Sequence, residues 1–142
     1  MYERSCIIDR PYSIGYIIGD DFVLLEEIRI ISREFIEVPE FSKNWKELGF
    51  SQDDLECLQD MIMKNPKTGA VIKGTDGLRK MRFALSNRGK SGSVRVCYVD
   101  LEEVEKTILI TVYGKKEKDN LSLSERKTIR KLIIQLKNHY GA

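Results

Sequence analysis

The stretch Leu78-Arg-Lys-Met-Arg-Phe-Ala-Leu85 decides how the chain is read, because β-branched or aromatic runs of matching length follow it at Val94 to Leu101 and Thr107 to Tyr113. Three such runs joined by short polar connections predict an antiparallel meander. Alternation within the first run puts Leu78, Lys80 and Arg82 on one face and Arg79, Met81 and Phe83 on the other. Met81 and Phe83 then belong to the core, and Lys80 and Arg82 point to an open face. In the third run Leu109, Thr111 and Tyr113 share a face, opposite Ile108, Ile110 and Val112. Ser86 to Ser93 forms a basic, Gly-containing connection, and Glu102 to Lys106 a short acidic one.

Outward from the meander, the chain turns helical on both sides. Glu40 to Leu48 predicts a short helix stopped by Gly49, after a strand from Arg33 to Val38 that ends at Pro39. Ser51-Gln-Asp-Asp54 matches an N-terminal cap, with Leu55, Leu58, Met61 and Ile62 at helical spacing before Asn65-Pro66. Ser122-x-x-Glu125 is a capping box that opens a closing helix, with Leu123, Ile129, Leu132, Ile133 and Leu136 as its apolar stripe. The expected fold class is α+β: a small antiparallel sheet, two helices before it and one after. Residues 1–32 alternate apolar runs with Gly and Asp, show no single period, and are read as strand or mixed structure.

At 142 residues and 42% hydrophobic content, the chain fits a globular domain. No apolar run reaches the roughly 18 residues of a membrane-spanning helix, and no secretory signal pattern opens the chain, so a cytoplasmic protein without membrane contact is expected. Cys6, Cys57 and Cys97 are odd in number and far apart, which suggests buried thiols rather than disulfides or a zinc site.

The net charge of +2 is unevenly spread: residues 1–72 carry 8 basic and 14 acidic side chains, and residues 73–118 carry 11 and 6. Lys73, Arg79, Lys80, Arg82, Arg88, Lys90 and Arg95 face a single acid, Asp76, over 23 residues. Such a cluster attracts polyanions in a salt-dependent way. Tyr113 leads into Gly114-Lys-Lys-Glu-Lys118, and a ring beside cations suits a single-stranded nucleic acid, although solvated charge on a sheet face is the plainer explanation.

Nuclease chemistry would lack its usual tools here. The single histidine, His139, falls on the last turn of the closing helix, and no metal-ligand spacing or nucleophile motif is present. RNA cleavage would depend on Lys, Arg and Tyr. Arginine can stabilise phosphate charge, and a lysine crowded by cations can have its pKa drawn toward the range of proton transfer.

Six elements then occur in order: Asn65-Pro-x-x-Gly69, Val71-Ile72-x-Gly74, Gly77-Leu-Arg-Lys-Met-Arg82, Gly89-Lys-Ser-Gly92, Arg95-Val-x-Tyr98 and Val112-Tyr-x-Lys115-x-Glu-Lys-x-x-Leu121. Together they resemble the HigB-type branch of the RelE toxins of type II toxin-antitoxin systems. With a weaker match at Phe35-Ile-Glu-Val-Pro-Glu-Phe41, the resemblance covers about residues 33–138.

The resemblance implies a RelE-like domain over residues 33–142, preceded by an extension over residues 1–32. It implies a metal-independent endoribonuclease, without cofactor, that cleaves messenger RNA in the ribosomal A site. It also implies an antitoxin partner with a helix-turn-helix DNA-binding domain. Arg82 and Arg95 would contact phosphate, Lys115 and Lys118 would transfer protons or stabilise charge, and Tyr113 would stack on a base. Lys73, Arg79, Lys80, Arg88, Lys90 and Lys116 would grip RNA. A structural Arg95 tied to a carboxylate is the alternative at that position. At the level of the protein, the alternatives are a ParE-like inhibitor of DNA gyrase and a non-catalytic nucleic-acid-binding module.

Overall fold

The computed structural model describes residues 4–18, 21–84, 93–114, 118 and 120–142. In chain order the elements are strands β1 (Arg4–Ile18) and β2 (Asp21–Glu37), helices α1 (Pro39–Glu47) and α2 (Gln52–Lys64), strands β3 (Ala70–Val71), β4 (Leu78–Phe83), β5 (Val94–Leu101) and β6 (Lys106–Gly114), and helix α3 (Leu123–Tyr140). The fold is α+β, and its sheet runs β1-β2-β6-β5-β4-β3. All neighbours pair antiparallel except β2 and β6, which run parallel over Glu34–Glu37 and Lys106–Leu109. Among the described residues, no helix is long and apolar enough to cross a membrane.

Residues 1–32, left between strand and mixed structure, fall mainly into the β1–β2 hairpin. Arg4–Ile7 pair with Glu34–Glu37, so the base of the hairpin is built into the main sheet. The boundary expected between residues 32 and 33 therefore lies within a continuous strand. Arg33 is buried beside it: its guanidinium bonds the Asp100 carboxylate and, at 3.4 Å, the Thr107 hydroxyl, tying β2 to β5 and β6. Burial raises the Asp100 carboxyl above its ordinary pKa, against the pull of Arg33.

Pro39 does not merely end a strand. It occupies the first turn of α1, where its missing N–H costs nothing and its fixed φ suits the helix. Gly49, with φ of 83°, closes α1 as expected by donating to the Lys46 carbonyl. Trp45 then stacks on Phe50 at 4.4 Å and meets Phe83 of β4 at 5.7 Å, fastening α1 to one face of the sheet.

In α2, Ser51 Oγ accepts from the Asp54 N–H at 3.1 Å and the Asp54 carboxylate accepts from the Ser51 N–H at 2.7 Å, completing the expected cap. The buried stripe is Leu55, Leu58, Ile62 and Met63; Met61, expected inside, is 44% exposed because it faces away from that stripe. Likewise Leu123 is exposed at the start of α3, whose core contacts are Ile129, Ile133 and Leu136.

The loop after α2 explains the Asn65-Pro-x-x-Gly69 element. The buried Tyr98 hydroxyl of β5 donates to the Pro66 carbonyl at 2.9 Å and accepts from the Gly69 N–H at 3.0 Å. A Cβ at Gly69 would stand 2.9 Å from the Lys80 carbonyl oxygen, so this position admits no side chain without movement. Burial raises the Tyr98 pKa, and the hydroxyl keeps its proton for the bond to Pro66.

The β4–β5–β6 meander is as expected, with one departure. Cys97 pairs with Thr111 but Tyr98 pairs with Leu109, leaving Ile110 as an extra residue on β6. This bulge moves Leu109 off the face of Thr111 and Tyr113, where simple alternation placed it. Every residue from Thr107 to Tyr113 is buried, so both faces of this central strand are covered.

Candidate nucleic-acid interface

Pairing in register brings Arg82, Arg95 and Tyr113 into one row across β4, β5 and β6, and Lys80, Cys97 and Thr111 into the next. Directly opposed residues in antiparallel strands share a face. This face is opposite the one that carries Phe83 and α1. At its other end Leu78, expected on the open face, is buried: the tail of α3 closes over that end, where Lys137 Nζ donates to the Asp76 carbonyl at 2.8 Å.

Ser93, just before β5, gathers the arginines. Arg82 Nε donates to its hydroxyl oxygen at 2.9 Å and Arg95 Nη1 at 3.3 Å. No carboxylate pairs with either arginine among the described residues. The carboxylate tie considered for Arg95 is thus not seen among the described residues. Arg82 is exposed and Arg95 half-buried.

Tyr113 corrects the sequence reading. It is 2% exposed, so its ring offers no open surface on which a base can stack. The dense β6 packing that buries its neighbours buries it as well. Its hydroxyl makes no regular hydrogen bond among the described residues. Burial raises its pKa first, and the neighbouring Cys97 thiol adds to the effect, so the group stays neutral. The Cys97 thiol is itself pushed up to about 12, again chiefly by burial, which makes it a packed and inert group.

Lys118 lies over the Tyr113 ring, with Nζ 5.1 Å from its centroid, and bonds the carboxylate of Glu125 in the first turn of α3. The Lys118 hydrogen bond holds the Glu125 carboxyl below the usual glutamate range, assisted by the Ser122 N–H. Lys80 Nζ donates to Asn120 Oδ1 at 2.8 Å. Lys118 and Glu125 thus stand together at Tyr113, and Lys80 lies one row away, opposite Cys97.

Two expected RNA contacts lie elsewhere. Arg79 is on the opposite face, where it donates to the Gly69 carbonyl at 2.8 Å and brushes that of Lys67 at 3.5 Å. It braces the loop. Lys73 is exposed in the turn that enters β4, at the far end of the strand from Arg82. Arg88, Lys90, Lys115 and Lys116 lie outside the described residues. His139 ends α3 on the surface, edge-on to Tyr140.

Three participants escaped the sequence reading. Ser93 looked like the end of a polar connection, and Glu125 like a capping residue only. Asn120 had no distinguishing neighbour in sequence. The signal for Glu125 was present, since a capping-box carboxylate seven residues after Lys118 has its second oxygen free for a cation. Among the described residues, no group of three His, Cys, Asp or Glu side chains stands ready to hold a metal ion.

A groove of about 680 Å³ lies along α1 and α2, lined by Pro39, Ser42, Trp45, Phe50 and Leu55 among others. It is on the opposite face of the sheet from the arginine row. No family model matches the chain.

Proposed function

We propose that this protein is a toxin of the RelE and HigB type, an endoribonuclease that cuts messenger RNA on the ribosome and is restrained by a cognate antitoxin. The observation that carries the reading is the in-register pair Arg82 and Arg95, which converge on Ser93 without a carboxylate partner among the described residues. Like charges directly opposed in a sheet are destabilising. A phosphate between them offsets that cost and accepts the free guanidinium donors.

The chemistry that fits is transphosphorylation by the neighbouring 2′-hydroxyl. The bond from O2′ to phosphorus forms, the bond from phosphorus to O5′ breaks, one proton leaves O2′ and one reaches O5′. The products are a 2′,3′-cyclic phosphate and a 5′-hydroxyl end. Arg82 and Arg95 stabilise charge on the non-bridging oxygens, and Lys118 adds a third cation from the side of Tyr113. Tyr113 supports Lys118 from beneath, in place of the base-stacking role first expected. Proton transfer from O2′ is the role implied for Lys115.

The test is an in vitro translation reaction with a defined message, mapping 5′ ends after addition of the wild-type protein or an Arg82→Ala, Lys115→Ala variant. Cuts inside translated codons, dependent on ribosomes and lost in the variant, are expected. An intact message with translation unaffected would overturn the reading and bring gyrase inhibition or plain nucleic-acid binding forward.

A further inference from the structure

The capping box of α3 does more than its local task requires. In the usual arrangement the third helical residue returns one carboxylate oxygen to the N-cap N–H, and the other faces water. Here Glu125 Oε1 accepts from the Ser122 N–H at 3.0 Å, while Oε2 accepts from Lys118 Nζ, seven residues earlier in the chain. A second restraint acts on the same ammonium, since it lies over the face of the buried Tyr113 ring. A lysine on a flexible four-carbon stem is thereby held between a fixed carboxylate and a fixed ring.

We infer that Glu125 is a positioning residue that fixes the Lys118 ammonium beside the phosphate held by Arg82 and Arg95. The inference rests on the ribonuclease reading above. The Lys118 ammonium has three N–H groups; one is spent on Glu125, and those left over are available to a non-bridging phosphate oxygen. Without Glu125 the stem would sample many rotamers, and the cation would have to be ordered during each reaction instead of beforehand. Because Glu125 is anchored through Ser122 to the start of α3, the position of Lys118 is set by the helix rather than by the segment that carries it.

The full-length chain is tested on ribosomes programmed with a defined message, under single-turnover conditions that give the maximal cleavage rate and the half-saturating protein concentration separately. Glu125→Gln keeps a group able to cap the helix and removes the charge. Its maximal rate is expected to fall about 10- to 100-fold with half-saturation changed less than about threefold, the pattern of lost orientation. In a Lys118→Ala background the same substitution should change nothing further, since Glu125 acts through that lysine. Ser122→Ala is the control for stability alone: it removes the hydroxyl half of the cap, lowers Tm, and leaves the maximal rate within about threefold of the wild type. A Glu125→Gln rate equal to wild type, or an equal loss in the Lys118→Ala background, would overturn the inference while leaving the ribonuclease intact. A wild-type protein that cuts no message would remove the ribonuclease reading and this inference with it.

Discussion

Arg82 and Arg95 face each other directly across β4 and β5, and both donate to the hydroxyl of Ser93. Two guanidinium groups in opposed positions are an arrangement that stability alone does not favour. Replacing either by alanine should therefore leave Tm unchanged or slightly higher while cleavage falls roughly 100- to 1,000-fold. Each loss should also reduce the salt dependence of single-stranded RNA binding by about 0.7 in the log–log slope. Thermal melts and filter binding at graded salt would check both. A variant that loses stability and activity in parallel would assign the pair a structural role.

Tyr98→Phe removes a buried hydroxyl that both donates and accepts. The Gly69 N–H and Pro66 carbonyl lose their shared partner, and a stability loss of about 1–3 kcal/mol is expected in urea titration. Gly69→Ala should also destabilise, because the added methyl meets the Lys80 carbonyl oxygen at 2.9 Å. A neutral Tyr98→Phe would mean that the loop is held by other bonds.

Asp100→Ala would strand the buried Arg33 guanidinium and is expected to cost about 3–5 kcal/mol. Replacing both partners, as Arg33→Met with Asp100→Leu, should recover most of that loss, since the pair itself is desolvated at a cost. Equilibrium unfolding of the single and double variants decides the matter; a double variant as weak as the single one would show that the pair is needed as such.

The acid limb of the stability curve should report on Glu125. Its folded-state pKa lies below the ordinary glutamate value, chiefly through the Lys118 hydrogen bond. The stabilisation from its ionised form is complete above the unfolded-state value of about 4.3 and is lost as pH falls through the lower folded-state value. The Tm difference between wild type and Glu125→Gln should thus be largest near neutrality and close in acid. A gap that widened below about pH 4 would contradict the pairing with Lys118.

The sequence revealed local features more readily than crossings. The Ser51 and Ser122 caps, the Gly49 stop and the meander were legible because each depends on neighbours within a few residues. The β1–β2 hairpin was not, since its apolar runs have no clean period. Nor was the parallel pairing of β2 with β6, which no local pattern announces. At the site, Arg82 was legible as an outward residue on β4. Tyr113 was misread because aromatic character beside lysines resembles a stacking platform, while its burial depends on what covers that face of β6 in the folded chain. Arg79 was legible by alternation as a residue on the face of Met81 and Phe83, but its carbonyl partners, in a loop ten and twelve residues earlier, were not.

The parallel seam between β2 and β6 has a bearing on how the chain acquires its shape. Glu34 and Lys106, joined across that seam, are 72 residues apart, whereas β4, β5 and β6 are linked by short connections. Local pairings form sooner than distant ones because less chain entropy is lost in closing the loop. The arginine row can therefore assemble early, while β2 waits with an open edge for β6 to be synthesised. On a translating ribosome the N-terminal hairpin would be the last part of the sheet to find its place, so slow docking at the seam, rather than formation of the meander, should set the refolding rate.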